Sequence, residues 1–418
     1  MKLTVLFGTL GGLLVLAFVA NHLFRRSRIP DVVVLMATGL VLGPILGWVN
    51  AARFEGIAHA FGTLAVILIL FEGGLELDIR GTLRHFPGGL LLGMLGYAVT
   101  LALVTPVVWW TLRLPLSSSL LVGAVVSCTS SAVVLPILQQ LEARPPLKVT
   151  LLLEASLGDV LGVLTVGILL DIYAFGGSLA GEFFRRFFSE VTVSLLMALV
   201  AGFLWSRLLP VLSEQRFWQV LTFSVVLLLY AGSEALMANG LIAVLAFGLT
   251  LANFPGIDQR LLQAALAVES PTEEHHQQIL TFHSELAFLV RTFFFVLLGV
   301  LVKVGGLGRN LPTIMGILGA LLVARWLAVQ GSRWTWREID SRDREMVFWL
   351  LPRGLITAVL AIQVLEVRGR EFATLPTLAF AVILVTNLLV LLGTLRARRH
   401  PRVSPSPPEE AAASPPMT

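Results

Sequence analysis

Charge is what this sequence has least of. Asp, Glu, Lys and Arg make up 13% of its 418 residues, against about 25% in a typical soluble domain. The deficit excludes an ordinary water-soluble fold. Cysteine is nearly missing as well. The single Cys128 lies inside an apolar run, which excludes a disulfide framework. The sequence pI is near 9.7, yet no basic patch accompanies it. Lys and Arg sit in short connections between apolar runs, so nucleic acid is not expected as a partner. Paired histidines within the apolar runs are absent too. His59 and His283 fall in or beside apolar runs without a second ligand or a nucleophile–base partner, which argues against an intramembrane enzyme. The glycines from Gly8 to Gly12 have no strand context for a nucleotide loop. No small-residue cleavage site follows the run from Met1 to Phe24, which therefore reads as a span.

What is present is apolar length. Hydrophobic residues make up 56% of the chain, and runs of roughly 20 residues, the length that crosses a bilayer as a helix, recur throughout. The expectation is an all-α polytopic membrane protein with thirteen spans, at about 3–24, 30–49, 57–77, 88–112, 116–140, 147–170, 189–212, 217–237, 239–253, 283–303, 310–332, 346–366 and 372–395. Residues 1–399 form the membrane domain. The Pro-, Ser- and Glu-rich tail at 400–418 is expected to be disordered and cytoplasmic. Most Lys and Arg fall in loops after odd-numbered spans, which predicts an N-terminus outside the plasma membrane. Thirteen spans suit two inverted six-helix repeats around a lone seventh. That pairing matches span 5 with span 12, and both are interrupted. Cys128-Thr129-Ser130-Ser131 and Pro136 break the first, and Pro352-Arg353-Gly354 the second. Broken spans at matching positions point to a transporter site.

Two carboxylates stand in the sixth span, Glu154 and Asp159. A charged carboxylate at the bilayer centre costs at least about 2.5–3.5 kcal/mol, so each needs a partner or a task. Glu154 lies seven residues in from the cytoplasmic end of its span, and Arg325 lies seven residues in from the same side of span 11. At equal depth the two are expected to pair as a structural clamp. Asp159 is about 140° round the helix from Glu154 and level with the broken spans. Freed carbonyls and the hydroxyls of Thr129, Ser130 and Ser131, with Ser156 of the same span, form the candidate ion- and proton-binding set around it. Removal from water favours a protonated carboxylic acid and a bound cation favours the ionised one. A lone aspartate there holds a proton or a monovalent metal cation but not both well. The plain alternative is a protonated structural aspartate. Arg353 at the second break either compensates negative helix ends or binds an anionic substrate. Glu72, near the cytoplasmic end of span 3, is a candidate for an inner funnel or a snorkelling interfacial group. Arg291 in span 10 has no assignable partner. Glu273-Glu274-His275-His276 reads as a solvated loop.

Several motifs occur together in order. They are Arg28-Ile29-Pro30, Gly39 to Gly43-Pro44, Leu70-Phe71-Glu72 to Leu75, Glu154 with Asp159, Gly240 onward, Phe293-Phe294-Phe295 to Gly299, Ala324-Arg325, and Pro352-Arg353-Gly354. Over roughly residues 5–395 the chain thereby resembles the monovalent cation/proton antiporter superfamily, most closely its sodium/proton exchanger branch. The resemblance implies a homodimer and an elevator-like cycle. The scaffold would lie at about 3–77 and 217–303, the moving core at about 88–170 and 310–395, and a linker at about 189–212. It also implies that Asp159 binds ion and proton, that Thr129 lies near the ion, that Glu154 and Arg325 are a buried pair, and that Arg353 matches the arginine of span 12. The chain has Gly158 where the branch usually has Asn, and Thr129-Ser130-Ser131-Ala132 where it usually has Thr-Asp-Pro. The second pattern is closer to the potassium-efflux branch. One carboxylate at the crossing implies electroneutral exchange of one Na+ or K+ per proton, with no cofactor. An anion or organic-acid transporter using Arg353 and a transport-inactive membrane sensor are the rival readings.

Overall fold

A backbone in lipid must satisfy its own N–H and C=O groups, so apolar spans fold as helices or closed barrels. The computed structural model describes residues 30–49, 55–76, 86–140, 144–175, 179–261, 273–335 and 341–399, with parts of 8–22. Among the described residues all regular structure is helical. The tail at 400–418, most of the first span, Arg28-Ile29 and the basic connection at 77–85 lie outside them.

In chain order the helices are α1 (Asp31–Leu40), α2 (Glu55–Glu76), α3 (Phe86–Leu112), α4 (Leu116–Ser127), α5 (Ser131–Gln140), α6 (Pro145–Phe175) and α7 (Leu179–Leu212). They continue with α8 (Trp218–Ala235), α9 (Gly240–Leu261), α10 (Glu273–Leu301), α11 (Val304–Arg309), α12 (Leu311–Ser332), α13 (Ser341–Trp349), α14 (Leu355–Arg368) and α15 (Leu375–Arg399). Among the described residues, eight helices are long and apolar enough to cross a membrane, and Asp31–Ile45 and Gly240–Asn253 are shorter apolar helices.

Helix ends and hydropathy ends do not coincide everywhere. Helices α7 and α10 each begin ten residues before the expected span. Glu, Gln and Arg are good helix formers, so a helix continues past the point where its sequence stops being apolar. Glu273-Glu274-His275-His276 therefore opens α10 and is not a loop. The His275 ring meets Trp218 edge-on at 6.0 Å, and no group of three or more metal-ligating side chains occurs among the described residues.

Packing divides into two neighbourhoods. Helix α3 lies against α4, α6 and α12, while α2 lies against α9 and α10, and α10 against α1. One buried apolar cluster runs through the first group, on to α14 and α15, and across to α1, α2 and α10. A second cluster, with Phe71, Trp205, Trp218 and Phe247, joins α2, α7, α8 and α9. Small residues set how closely helices approach in lipid. At the α1–α10 crossing, a Cβ on Gly299 would stand 2.9 Å from the Gly39 Cα and 2.8 Å from the Leu40 nitrogen. Both partners are backbone and neither can rotate away. Gly299→Leu is therefore expected to force α1 off α10 and destabilise the protein by about 1–3 kcal/mol, read as a lower melting temperature in detergent. Gly305→Leu, where a Cβ meets open space, serves as the control.

Candidate functional site at the helix crossing

Two spans stop and restart inside the bundle. Helix α4 ends at Ser127, Cys128 turns extended at φ −68° and ψ 129°, and α5 starts at Ser131. Opposite it, α13 ends at Trp349 and α14 starts at Leu355. Pro352 has no N–H to continue a helix. The two breaks touch where the Ser130 N–H donates to the Pro352 carbonyl at 2.9 Å. The side chain of Ser130 fills the space that a Cβ on residue 354 would need, which accounts for Gly354. Pro136 lies within α5 and not at the break. Its missing N–H leaves the Ala132 carbonyl without its helical donor, and Arg291 Nη1 donates to that oxygen at 3.4 Å.

A helix C-terminus carries about half a negative charge, and two such ends meet here. An arginine serves each. Arg353 Nη1 donates to the Ser127 carbonyl at the end of α4, at 3.1 Å, and to Thr129 Oγ1 at 2.8 Å. Arg325 donates from Nε and Nη2 to the Val347 carbonyl, at 2.9 and 2.7 Å, and from Nη2 to the Leu350 carbonyl at 2.6 Å. Arg325 also grips Glu154 with both terminal nitrogens, Nη1 to Oε1 and Nη2 to Oε2, the latter at 3.1 Å. Thr129 ties the two arginine systems together, since its hydroxyl also donates to Glu154 Oε1 at 3.5 Å.

Asp159 stands apart from this network. Its Oδ2 accepts the Ser131 hydroxyl at 2.8 Å and the Ser131 N–H at 3.4 Å. Ser131 is the first residue of α5, and a helix N-terminus favours a negative group. Its Oδ1 is buried with no hydrogen-bond partner among the described residues, and the residue is 1% exposed. Of the candidate set, Ser131 alone bonds the Asp159 carboxylate among the described residues. The Thr129 hydroxyl is engaged by Arg353 and Glu154, and Ser130 is held through its backbone.

Ser156 lies a little away. With Glu72, Glu76 and Ser131 it lines a cavity of about 30 Å³, room for two or three waters at about 10–15 Å³ of such volume each. The cavity thus joins the end of α2 to the serine that holds Asp159. Glu76, one turn beyond Glu72, escaped sequence reasoning although the spacing was visible.

Other residues were missed as well. The Asn387 side chain donates to the Arg353 carbonyl at 2.9 Å, and the Arg353 N–H donates to Thr386 Oγ1 at 3.1 Å. A fully buried Thr-Asn pair inside span 13 was the available signal. Arg291 finds a carboxylate in Asp31, at 3.4 Å. Asp31 stands at the first position of α1, where an acidic residue reads as ordinary helix-end chemistry.

An all-helical membrane protein with two broken helices crossing beside a buried aspartate belongs to the class of multi-pass transporters. The family can be stated more closely. The model of the family described as sodium/hydrogen exchanger, transmembrane, matches residues 13–396, and the chain belongs to that family. It is a family of transporters and not of enzymes. Na(+)/H(+) antiporter 1 of Methanocaldococcus jannaschii is 24% identical, over 94% of this chain and 94% of that protein. K(+)/H(+) antiporter NhaP2 of Shewanella oneidensis is 26% identical, over 91% of this chain and 64% of that protein's length. The solved structure of the sodium proton antiporter MjNhaP1 from Methanocaldococcus jannaschii at pH 8 superposes with a TM-score of 0.79 at 21% identity. It covers 94% of this chain and all of that one, a likeness of fold.

Removing one partner of a buried ion pair costs about 3–5 kcal/mol. Glu154→Gln and Arg325→Met are each expected to lower the melting temperature sharply. The double variant is expected to recover part of the loss, measured by thermal unfolding in detergent.

Proposed function

We propose that this protein is a proton-coupled monovalent cation antiporter, exchanging Na+ or K+ for H+ at Asp159. The observation that carries the reading is the divided state of that carboxylate. One oxygen is held by Ser131 at a helix N-terminus, while the other is buried and unpartnered. A buried acceptor without a donor is costly, and either a proton or a desolvated cation satisfies it. The two compete because they occupy the same oxygen.

The charge count favours one-for-one exchange. Around the crossing stand Glu154 and Asp159 against Arg325 and Arg353. A proton or a monovalent cation on Asp159 leaves the buried group with the same net charge, so the loaded forms cross the membrane at equal electrostatic cost. Arg353 Nη1 is taken by the Ser127 carbonyl and the Thr129 hydroxyl, while its Nε is buried without a partner among the described residues. The relatives named for Na+/H+ and K+/H+ antiport support both cations as candidates.

In this reading the inner route runs past Glu72 and Glu76 to Ser131 and Ser156. The core of spans 4–6 and 11–13, in two inverted repeats, slides as an elevator against a scaffold of spans 1–3 and 8–10. The seventh span links them. The scaffold forms a homodimer in the plasma membrane, with the N-terminus outside. The arrangement of α3, α4, α6 and α12 apart from α2, α9 and α10 is compatible with that division.

Two variants test the site in proteoliposomes loaded with a pH-sensitive dye. Asp159→Asn is expected to abolish the pH change on adding Na+ or K+; exchange at the wild-type rate in that variant would overturn the reading. Ser131→Ala removes a hydrogen bond to a charged group, worth about 1.5–3 kcal/mol. The cation concentration for half-maximal exchange is expected to rise by roughly tenfold or more.

A further inference from the structure

A second cavity shares no lining residue with the one beside Ser131. It measures about 770 Å³ and lies where α3 ends and α12 begins, lined in part by Trp109, Trp110, Arg113, Arg309, Asn310 and Thr313. Four features of it are independent of one another.

The first is position. Trp109 and Trp110 close the apolar span Pro87–Leu112, and Leu311 opens the span Leu311–Ser332. The cavity is therefore at a membrane boundary. The two indoles are 54% and 79% exposed, and exposed tryptophans at a span end belong in the headgroup layer. The second is charge. Arg113 and Arg309 are exposed, no carboxylate lines the cavity, and neither guanidinium is in an ion pair among the described residues.

The third is the end of α12. Asn310 caps that helix without a side-chain hydrogen bond to it, and Pro312 follows at the start. The Asn310 amide is turned back to the Gly306 carbonyl at 2.8 Å. Pro312 has no N–H and the Ile314 N–H is bonded to the Asn310 carbonyl, so the first-turn N–H groups without a side-chain acceptor are those of Leu311 and Thr313. Thr313, 3% exposed, also lines the cavity. The fourth is backbone strain. Arg113 sits at φ +53°, a region that costs a residue with a side chain roughly 1–2 kcal/mol. Gly or Asn would hold this turn more cheaply, so the retained arginine points to a use for its side chain.

We propose that this cavity binds one anionic phospholipid. The phosphate lies between Arg113 and Arg309 at the N-terminus of α12, accepting from Thr313. The glycerol backbone rests on Trp109 and Trp110, and the acyl chains run down the lipid-facing sides of α3 and α12. A guanidinium pair with free N–H groups at a helix start matches the tetrahedral oxygens of a phosphate monoanion. The indole platform matches the boundary between headgroup and chain, and a free phosphate ion would make no use of it. By the charge bias of the loops this is the outer leaflet. The proposal does not depend on which cation Asp159 carries.

Native mass spectrometry of the purified full chain tests it, with phosphatidylglycerol and phosphatidylcholine of identical acyl chains. The wild type is expected to retain one phosphatidylglycerol in preference to phosphatidylcholine. The absence of that preference overturns the proposal without recourse to any variant. Arg113→Gln with Arg309→Gln is expected to weaken phosphatidylglycerol binding by roughly 30-fold for the two arginines together and to leave phosphatidylcholine unchanged. Arg113→Lys with Arg309→Lys is expected to keep most of the preference. Equal retention by wild type and the Gln variant overturns the site, as does release of the lipid by millimolar inorganic phosphate, which marks a free-anion site. A wild-type melting temperature certifies the fold of each variant before binding is compared.

Discussion

Everything at the crossing depends on neutralising two helix ends where water does not reach. Breaking α4 and α13 inside the bundle frees carbonyls whose dipoles point at each other. Two such ends facing in a low dielectric repel, and an arginine on each removes the repulsion. Arg353 serves Ser127, and Arg325 serves Val347 and Leu350. The arginines in turn are balanced by Glu154 and, across the crossing, by Asp159. Without this arrangement the chain would have no reason to stop its helices there, and Asp159 would face an unbroken apolar wall.

The same arrangement separates holding from working. Glu154 is gripped by a guanidinium through both oxygens and touches a threonine hydroxyl. Asp159 receives one serine and has one oxygen left over. Two carboxylates five residues apart on one helix thus differ in how completely they are satisfied. The difference follows from which face of α6 looks at α12 and which looks at the start of α5. A Cβ on Gly158 would reach 3.3 Å from the Thr129 nitrogen. The small residue lets the extended segment lie close against α6, just before the aspartate.

Much of this was legible before the fold. Long apolar runs located most of the described helices, Pro352-Arg353-Gly354 and Cys128-Thr129-Ser130-Ser131 located the breaks, though Ser131 and Pro136 belong to α5, and equal depth along antiparallel spans located the contact between Glu154 and Arg325. Helix starts at Leu179 and Glu273 were not legible, because hydropathy marks the lipid boundary and not the end of a hydrogen-bonded ladder. Asp31, Glu76 and Asn387 were missed for another reason. Each gains its meaning from the distant element it meets, and a depth count compares only residues already suspected. The division of labour between Arg325 and Arg353 likewise depends on which half-helix each one reaches, and no spacing in the chain states that.

Pro136 has a consequence that its place inside α5 conceals. By withholding one N–H it converts an internal carbonyl of α5 into an external acceptor, and the donor that takes it, Arg291, stands on α10 and also holds Asp31 of α1. A single missing hydrogen thus creates a polar fastening of α5 to α10 and α1, within a contact between helices that is otherwise largely apolar. Apolar surfaces slide past one another with little preference for register, whereas a guanidinium on a carbonyl has one. The imino acid gives a smooth boundary a detent.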